Sequence, residues 1–319
     1  MSLLASCQRT VCLRVVWLPT RRDRVLCGRC TKQMDGAEHR LGNLPRTFFS
    51  TETAAAQLEV SVYDARSLLT TMEAHSLTLR VCRDGWVITW HPRAYEREAP
   101  SLNAYLDDMM KHLGTGYYLS YAAAAEMRGA SHHGVMRQRV NVEVTADEMT
   151  ALELRQPDGP LDKAISFHPI DPAHGRPVAT MRTLVLPWQA DGAAESVRSN
   201  VRVATTETIL LDMAESPERC GGMDHIATIA GKMLFWKLLH PRLLADASVH
   251  YEPQVARRTG SMLQHIRGIQ HRISLRPLYR QVRRRPMHPS VEIHSTEPDW
   301  HHKADRWDVT YASKLDPDL

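Results

Sequence analysis

Between residues 61 and 90 the hydrophobic period of this chain switches from 3.6 to 2, and few folds accommodate that switch in so short a stretch. Ser61 and Asp64 stand at capping-box spacing for a helix start. Ala65, Leu68, Leu69 and Met72 then form one apolar stripe, with Tyr63, Arg66, Ser67 and Thr70 opposite. After His75-Ser76, Leu77, Leu79 and Val81 alternate with Thr78, Arg80 and Cys82, as in a half-buried strand. Asp84-Gly85 is a hairpin signal, and Trp86-Val-Ile-Thr-Trp90 follows it as a second strand. A shorter helical run opens at Ser50-Thr51, ends at Leu58 and turns at Glu59-Val60. Helix, tight turn, helix and β-hairpin, in that order, make a winged helix-turn-helix.

The stretch 91–101 is charged and carries two prolines, the composition of a domain boundary. Beyond it the spacing predicts a helix over 102–113 closed by Gly114 and an alanine-rich helix ending at Gly129. Strands are expected at 139–144, 164–168, 181–186 and 201–204, and helices at 206–215, 223–239, 243–250 and 255–268. Strands and helices follow no regular βαβ alternation, so the expected class is α+β. The predicted organisation is a basic, disordered extension over 1–40, a winged helix-turn-helix over 41–95, and a larger mixed α+β domain over 96–319.

Charge and cysteine are both concentrated at the N-terminus. Residues 1–40 hold eight Lys/Arg and three acids, +5, so with a net charge of +4 the remaining chain carries −1. A global argument for nucleic-acid binding therefore fails, and such binding has to come from local patches. Four of the six cysteines, Cys7, Cys12, Cys27 and Cys30, lie in the first 30 residues. The two that remain suit a reducing, cytoplasmic setting without a disulfide framework. A secretory signal fits badly, since Arg14 interrupts the apolar run 11–19. No run of about 18 uncharged apolar residues predicts a membrane span.

The stretch 203–223 is the most sharply punctuated in the chain. Thr205 is placed to cap a helix, Glu207 falls in its first turn, and Ile209, Leu210, Met213 and Ala214 recur at helical spacing. Gly221-Gly222 supplies a stop. The expected element is a short amphipathic helix with Asp212 on its polar side as a buried cap or helix-packing partner. Phosphate loops of the GxGxxG or GxxxxGK type and the GxSxG elbow are absent. His132-His133 and His301-His302 lack a converging third ligand, so no metal, no cofactor and no catalytic residue is expected.

Three separated segments together resemble the AbiEi family of type IV antitoxins. The first is Tyr117-Tyr-Leu-Ser-Tyr-Ala-Ala-Ala-Ala-Glu-Met-Arg-Gly129, like the tyrosine-serine opening of the family's second-domain helix. The second is the stretch 203–223, like a run of Ala-Ser-Pro-Glu-Arg-x-Leu-Leu-Asp followed by Cys-Gly-Gly. Here Thr206 stands where the family has proline and Thr208 where it has arginine, whereas Asp212 and both glycines match. The third is Arg257-Arg258 with Gly260 and Leu263, joined by Trp307-Asp-Val and Lys314-Leu-Asp-Pro-Asp-Leu319. The resemblance extends over 41–319. It implies a cytoplasmic protein, not an enzyme, whose winged helix binds inverted repeats in its own promoter as a repressor. Its second domain would counter a nucleotidyltransferase toxin, without need of a stable complex, in abortive infection.

On that reading the helix from Ser61 enters the major groove. Ser61, Val62 and Tyr63 are then candidates for base or sugar contacts, and Arg66 for a guanine edge or a phosphate. Arg46, Arg80 and Arg83 are candidate phosphate contacts. Residues 41–95 nevertheless carry five arginines and five acids, which weakens the electrostatic part of DNA affinity. A second basic feature is the acid-free stretch between Glu252 and Glu292. It holds Arg257, Arg258, Arg267, Arg272, Arg276, Arg280, Arg283, Arg284 and Arg285, expected to form a surface for an anionic partner: promoter DNA, RNA or an acidic toxin face. Two alternatives remain open at the level of sequence. One is a one-component winged-helix regulator with a small ligand in the second domain. The other is a DNA-acting nuclease, disfavoured because Glu292, Glu297, Asp299 and Lys303 lack metal-nuclease spacing.

Overall fold

The computed structural model describes residues 28–44, 46–89, 100–131, 137–155, 164–185, 197–266, 273–285, 291–293, 302–304 and 307–311. It is a mixed α+β structure, and the chain divides into two compact units, Met1–His112 with Leu184–Ser199, and Leu113–Thr183 with Asn200–Leu319.

In the first unit, helix α1 (Gly28–Gly42) precedes β1 (Phe48–Ser50), α2 (Thr51–Leu58), α3 (Val62–Ala74), β2 (Thr78–Cys82) and β3 (Gly85–Ile88). The three strands pair in the order β1-β3-β2, all antiparallel. This is the winged helix-turn-helix that the period switch predicts. Its caps form as spaced. Ser50 Oγ accepts from the Thr53 N–H at 3.1 Å, and Ser61 Oγ accepts from the Asp64 N–H at 3.1 Å. Left-handed Glu59 ends α2, its N–H reaching back to Ala55 and Ala56. The hairpin turn falls one residue earlier than the Asp84-Gly85 signal: Cys82 pairs with Gly85, so Arg83 and Asp84 make the turn, with Asp84 at φ 55°. Gly85 is fixed by packing, because a Cβ there would collide with Cys82 Sγ and the Phe48 ring.

Two expected boundaries are corrected. Residues 28–42 are helical, and Met34, Ala37 and Leu41 are buried in one core with Phe49, Ala54, Leu58, Leu69, Met72, Leu77 and Trp86. The disordered extension expected over 1–40 therefore cannot reach beyond residue 27. At the other end, helix α4 (Leu102–Leu113) lies almost wholly within the first unit, so the break falls near 112 instead of 95. Leu102, Tyr105, Leu106, Met109 and Met110 form its buried stripe. Arg46 Nη1 meets Asp108 at 2.8 Å, and the Phe48 ring lies 5.4 Å from that of His112.

The second unit is built on a five-stranded sheet. Its strands are β4 (Gly116–Ser120), β5 (Arg137–Glu143), β6 (Ala164–Pro169), β7 (Val178–Val185) and β8 (Val197–Ala204), in the order β6-β5-β4-β8-β7. β4 runs antiparallel to β5 and parallel to β8, and β5 runs parallel to β6. Helices α5 (Tyr121–Met127) and α6 (Ala146–Ala151) lie between strands in the chain. Helices α7 (Thr206–Glu215), α8 (Met223–Phe235), α9 (Pro241–Ala247), α10 (Pro253–Ile266) and α11 (Arg276–Arg283) follow the sheet. A small sheet of β9 (Val291–Ile293), β10 (His302–Ala304) and β11 (Val309–Tyr311) adjoins α10.

At the centre is α7, which packs against α5, α8, α9 and α10. The expected amphipathic helix is instead buried on every side from Thr206 to Ala214. Its cap forms as spaced, Thr205 Oγ1 accepting from the Thr208 N–H at 3.3 Å. Its polar residues find partners inside the protein, as buried polar groups must. Glu207 accepts from the His240 N–H at 2.9 Å, at the start of α9, and Thr208 donates to the Pro177 carbonyl at 2.8 Å.

Candidate functional site

Alternation along β4, β5 and β6 gives the large sheet two unlike faces. One carries Leu119, Val140, Val142 and Phe167. The other carries Tyr118 and Ser120 from β4, Asn141 and Arg139 opposite them on β5, and His168 and Ser166 opposite those on β6. An all-polar face on three adjacent strands ordinarily faces water. Here Tyr118, Ser120, Asn141 and Ser166 are buried. In sequence this pattern is indistinguishable from a solvated face.

The group drawn into this polar layer from α7 is Asp212, which is fully buried. Its Oδ2 accepts a hydrogen bond from Ser120 Oγ, and its Oδ1 accepts from Tyr251 Oη at 2.7 Å and pairs with Arg176 Nη1 at 2.7 Å. Arg176 Nη2 holds Glu215 at 3.0 Å, and the guanidinium lies over the Tyr251 ring at 4.3 Å. Burial lifts the Asp212 carboxyl to about 6, against the downward pull of Arg176, Ser120 and Tyr251. Burial also works against the Arg176 charge, but Asp212, Tyr251, Tyr118 and Glu215 more than offset it and hold the guanidinium above its ordinary range. At neutral pH the pair is therefore ionised.

Ser120 occupies an N-cap position yet makes no cap bond, because its hydroxyl is committed to Asp212. The next residue, Tyr121, sits at φ 57°, a conformation a bulky side chain rarely adopts. Such departures from local preference concentrate at functional sites. Arg139 lies 5.7 Å from the Tyr121 ring centroid and 3.4 Å from His168 Nε2, which is itself 3.2 Å from Ser166 Oγ. Cys220 and Cys82 are buried thiols pushed up to about 12, chiefly by burial, and so are poor nucleophiles. Among the described residues, no group of three or more His, Cys, Asp or Glu gathers at metal-binding distance. His132, His133, His301 and Cys27 of the CxxC at 27–30 lie outside the described residues.

The three segments that carry the family resemblance meet here. Ser120 of the first bonds Asp212 of the second, and Arg258 of the third donates to the Ala214 carbonyl at the end of α7. Arg257 joins the two parts of the third segment, donating through Nε to the Trp307 carbonyl at 2.9 Å and pairing with Asp308. Gly260 is required beneath Trp307, whose ring a Cβ would strike.

These bonds correct part of the expected arginine surface. Arg257 is buried, Arg258 is partly buried, and Arg285 donates to the carbonyls of Ser248, Val249 and Tyr251. All three hold backbone in place. An acid-free stretch balanced by internal carbonyls looks identical in sequence to one that faces a partner. Arg276, Arg280, Arg283 and Arg284 are exposed on and just after α11. Arg267 and Arg272 lie outside the described residues.

In the winged helix, Val62 and Tyr63 are 46% and 79% exposed at the N-terminal end of α3. Ser61 caps that helix. Arg66 is paired with Asp84 of the wing turn, and Arg46 with Asp108. Arg80 Nε donates to the Cys82 carbonyl at 3.3 Å, and Arg83 is exposed. No helix of the described residues is long and apolar enough to cross a membrane.

No family model and no curated protein matches the chain. Among solved structures, the Rv2827c protein from Mycobacterium tuberculosis is similar in fold, with a TM-score of 0.57 and 13% identity over 91% of this chain and 93% of that one. At that identity the likeness speaks for the fold alone.

Proposed function

We propose that this protein is a cytoplasmic antitoxin of a type IV toxin–antitoxin system. It counteracts a nucleotidyltransferase toxin and represses its own operon by DNA binding, and it is not an enzyme. The observation that carries this reading is the meeting of the three AbiEi-like segments around α7. Residues far apart in the chain, Ser120, Asp212, Ala214 and Arg258, are joined by direct hydrogen bonds at the positions that carry the resemblance. A winged helix with Val62 and Tyr63 exposed at the head of α3 supports the repressor half.

The two halves are tested separately. Footprinting on the promoter upstream of the gene should protect inverted repeats at moderate salt; absence of protection removes the repressor role. Coexpression with the neighbouring gene should relieve its toxicity, and unchanged toxicity removes the antitoxin role. A second reading, a winged-helix regulator that takes a small ligand in the second unit, is favoured by the buried polar sheet face.

A further inference from the structure

Helix α3 is the second helix of the helix-turn-helix, the one such a fold lays in the major groove. From residue 62 to residue 71 its exposed positions are Val62, Tyr63, Arg66, Ser67, Thr70 and Thr71. They recur at intervals of three and four residues and so form one stripe. The stripe holds no Asn, Gln or Lys, the side chains that together with Arg read adenine and guanine edges by hydrogen bonds. It holds no Asp or Glu either, the acceptors for a cytosine amine.

The polar atoms on and beside the stripe are mostly committed within the protein. Ser61 Oγ, at the cap, accepts from the Asp64 N–H and donates to Asp64 Oδ2 at 2.7 Å. Thr70 Oγ1 donates to the Arg66 carbonyl at 2.9 Å, and Thr71 Oγ1 to the Ser67 carbonyl at 3.0 Å, so each threonine keeps its methyl as the uncommitted group. Arg66 is drawn to Asp84 of the wing turn. What the stripe offers is therefore mostly carbon: the methyls of Val62, Thr70 and Thr71, and the Tyr63 ring. Cations stand at its margin. Arg66 is held toward the wing, and the exposed Arg83 is the neighbour of Asp84 in the same turn. A polyanion thus meets positive charge at the edge of this surface and an apolar surface along the helix.

One group in the major groove answers such a surface, the C5-methyl of thymine. Resting on the repressor reading, we propose that α3 selects its operator through thymine methyl groups, with Val62, Tyr63 and the Thr70 methyl as the specificity-determining contacts. Burial of a methyl involves no charge, so the discrimination it gives is independent of salt, whereas affinity as a whole falls as salt rises.

The test uses the promoter segment upstream of the gene, prepared with thymine and with deoxyuridine throughout, two forms that differ only by that methyl. The full chain should bind the thymine form about tenfold more tightly, the effect of burying two methyl groups. The ratio should be the same at low and at moderate salt. Val62→Ala and Thr70→Ser remove exposed methyls, the second keeping the hydroxyl bond to the Arg66 carbonyl. Both positions are exposed, so the fold is retained. Each variant should bind the thymine form more weakly and narrow the ratio severalfold. Equal affinity of the wild type for the two forms overturns the proposal and leaves the repressor reading standing. A ratio that both variants retain comes from DNA shape and also overturns it. Binding of neither form removes the repressor reading and this inference with it; if Tyr63→Ala then changes the oligomeric state, the stripe is a protein contact.

Discussion

The ion pairs of the two units illustrate opposite uses of the same chemistry. In the winged helix, Arg66 of α3 meets Asp84 of the wing turn with 58% and 40% of the two side chains exposed. In the second unit, Arg176 meets Asp212 with 7% and 0% exposed. Water competes for the first pair, which adds little to stability and is free to exchange partners. The second is cut off from water and surrounded by Ser120 and Tyr251, so neither member can be left alone without a buried charge remaining. The exposed pair is suited to exchanging partners, the buried pair to holding one arrangement of strands and helices.

Removing Asp212 should break this contrast most severely. Asp212→Ala strands the Arg176 guanidinium and should cost about 3–5 kcal/mol, read from chemical denaturation of the full chain. A loss below about 1 kcal/mol would put the buried pair on a level with the exposed one. Glu215 is the intermediate case, at 3.0 Å from Arg176 but 32% exposed. Glu215→Gln should cost about 1 kcal/mol, since a hydrogen bond survives and solvent screens the rest.

The titration of Asp212 sharpens the same point. Its folded carboxyl is lifted to about 6, above the ordinary carboxylate range, so the native chain holds this proton more tightly than the unfolded one. Asp212 therefore adds to stability as pH falls from about 6 toward 4, and this contribution is lost as pH rises back through 6. The side-chain carbon resonance of Asp212 should titrate near 6; a midpoint below 4 would mean that Arg176 outweighs burial.

The smallest stability effect is expected at the wing. Asp84→Asn keeps a residue type that tolerates the left-handed turn and should change stability by less than about 0.5 kcal/mol. On the proposed repressor role, it should nevertheless free Arg66 for a phosphate or guanine, tightening binding to the operator and steepening its salt dependence by about one unit. Unaltered salt dependence would place Arg66 away from DNA.

The winged helix was largely legible in the sequence because each of its cues is local: caps at Ser50 and Ser61, the period switch after His75, and the turn before Gly85. Helix α1 was not, since Met34, Ala37 and Leu41 are sparse apolar positions among charged neighbours and become a stripe only against Trp86 and Leu69. The polar cluster was legible in part. Asp212 stood out through the punctuation of its helix, and its burial was expected. Arg176, in a loop of prolines and a glycine, has no periodic signal at all, and the six polar residues of β4, β5 and β6 read as a wet surface until α7 is seen beside them. Burial of polar strand faces depends on what packs over them, which is long-range information.

Trp307 and its neighbours set an order of events for synthesis. Trp307 is buried over Gly260, donates its indole N–H to Gln264 Oε1 at 2.8 Å, and offers its carbonyl to Arg257. α10 thus lacks part of its packing until residue 307 has been made. The first unit is complete once residue 199 has been made. At 5–20 residues per second, the intervening stretch of roughly 110 residues takes on the order of 5–20 s. During that interval a nascent chain holds a finished winged helix while the core around α10 is still incomplete.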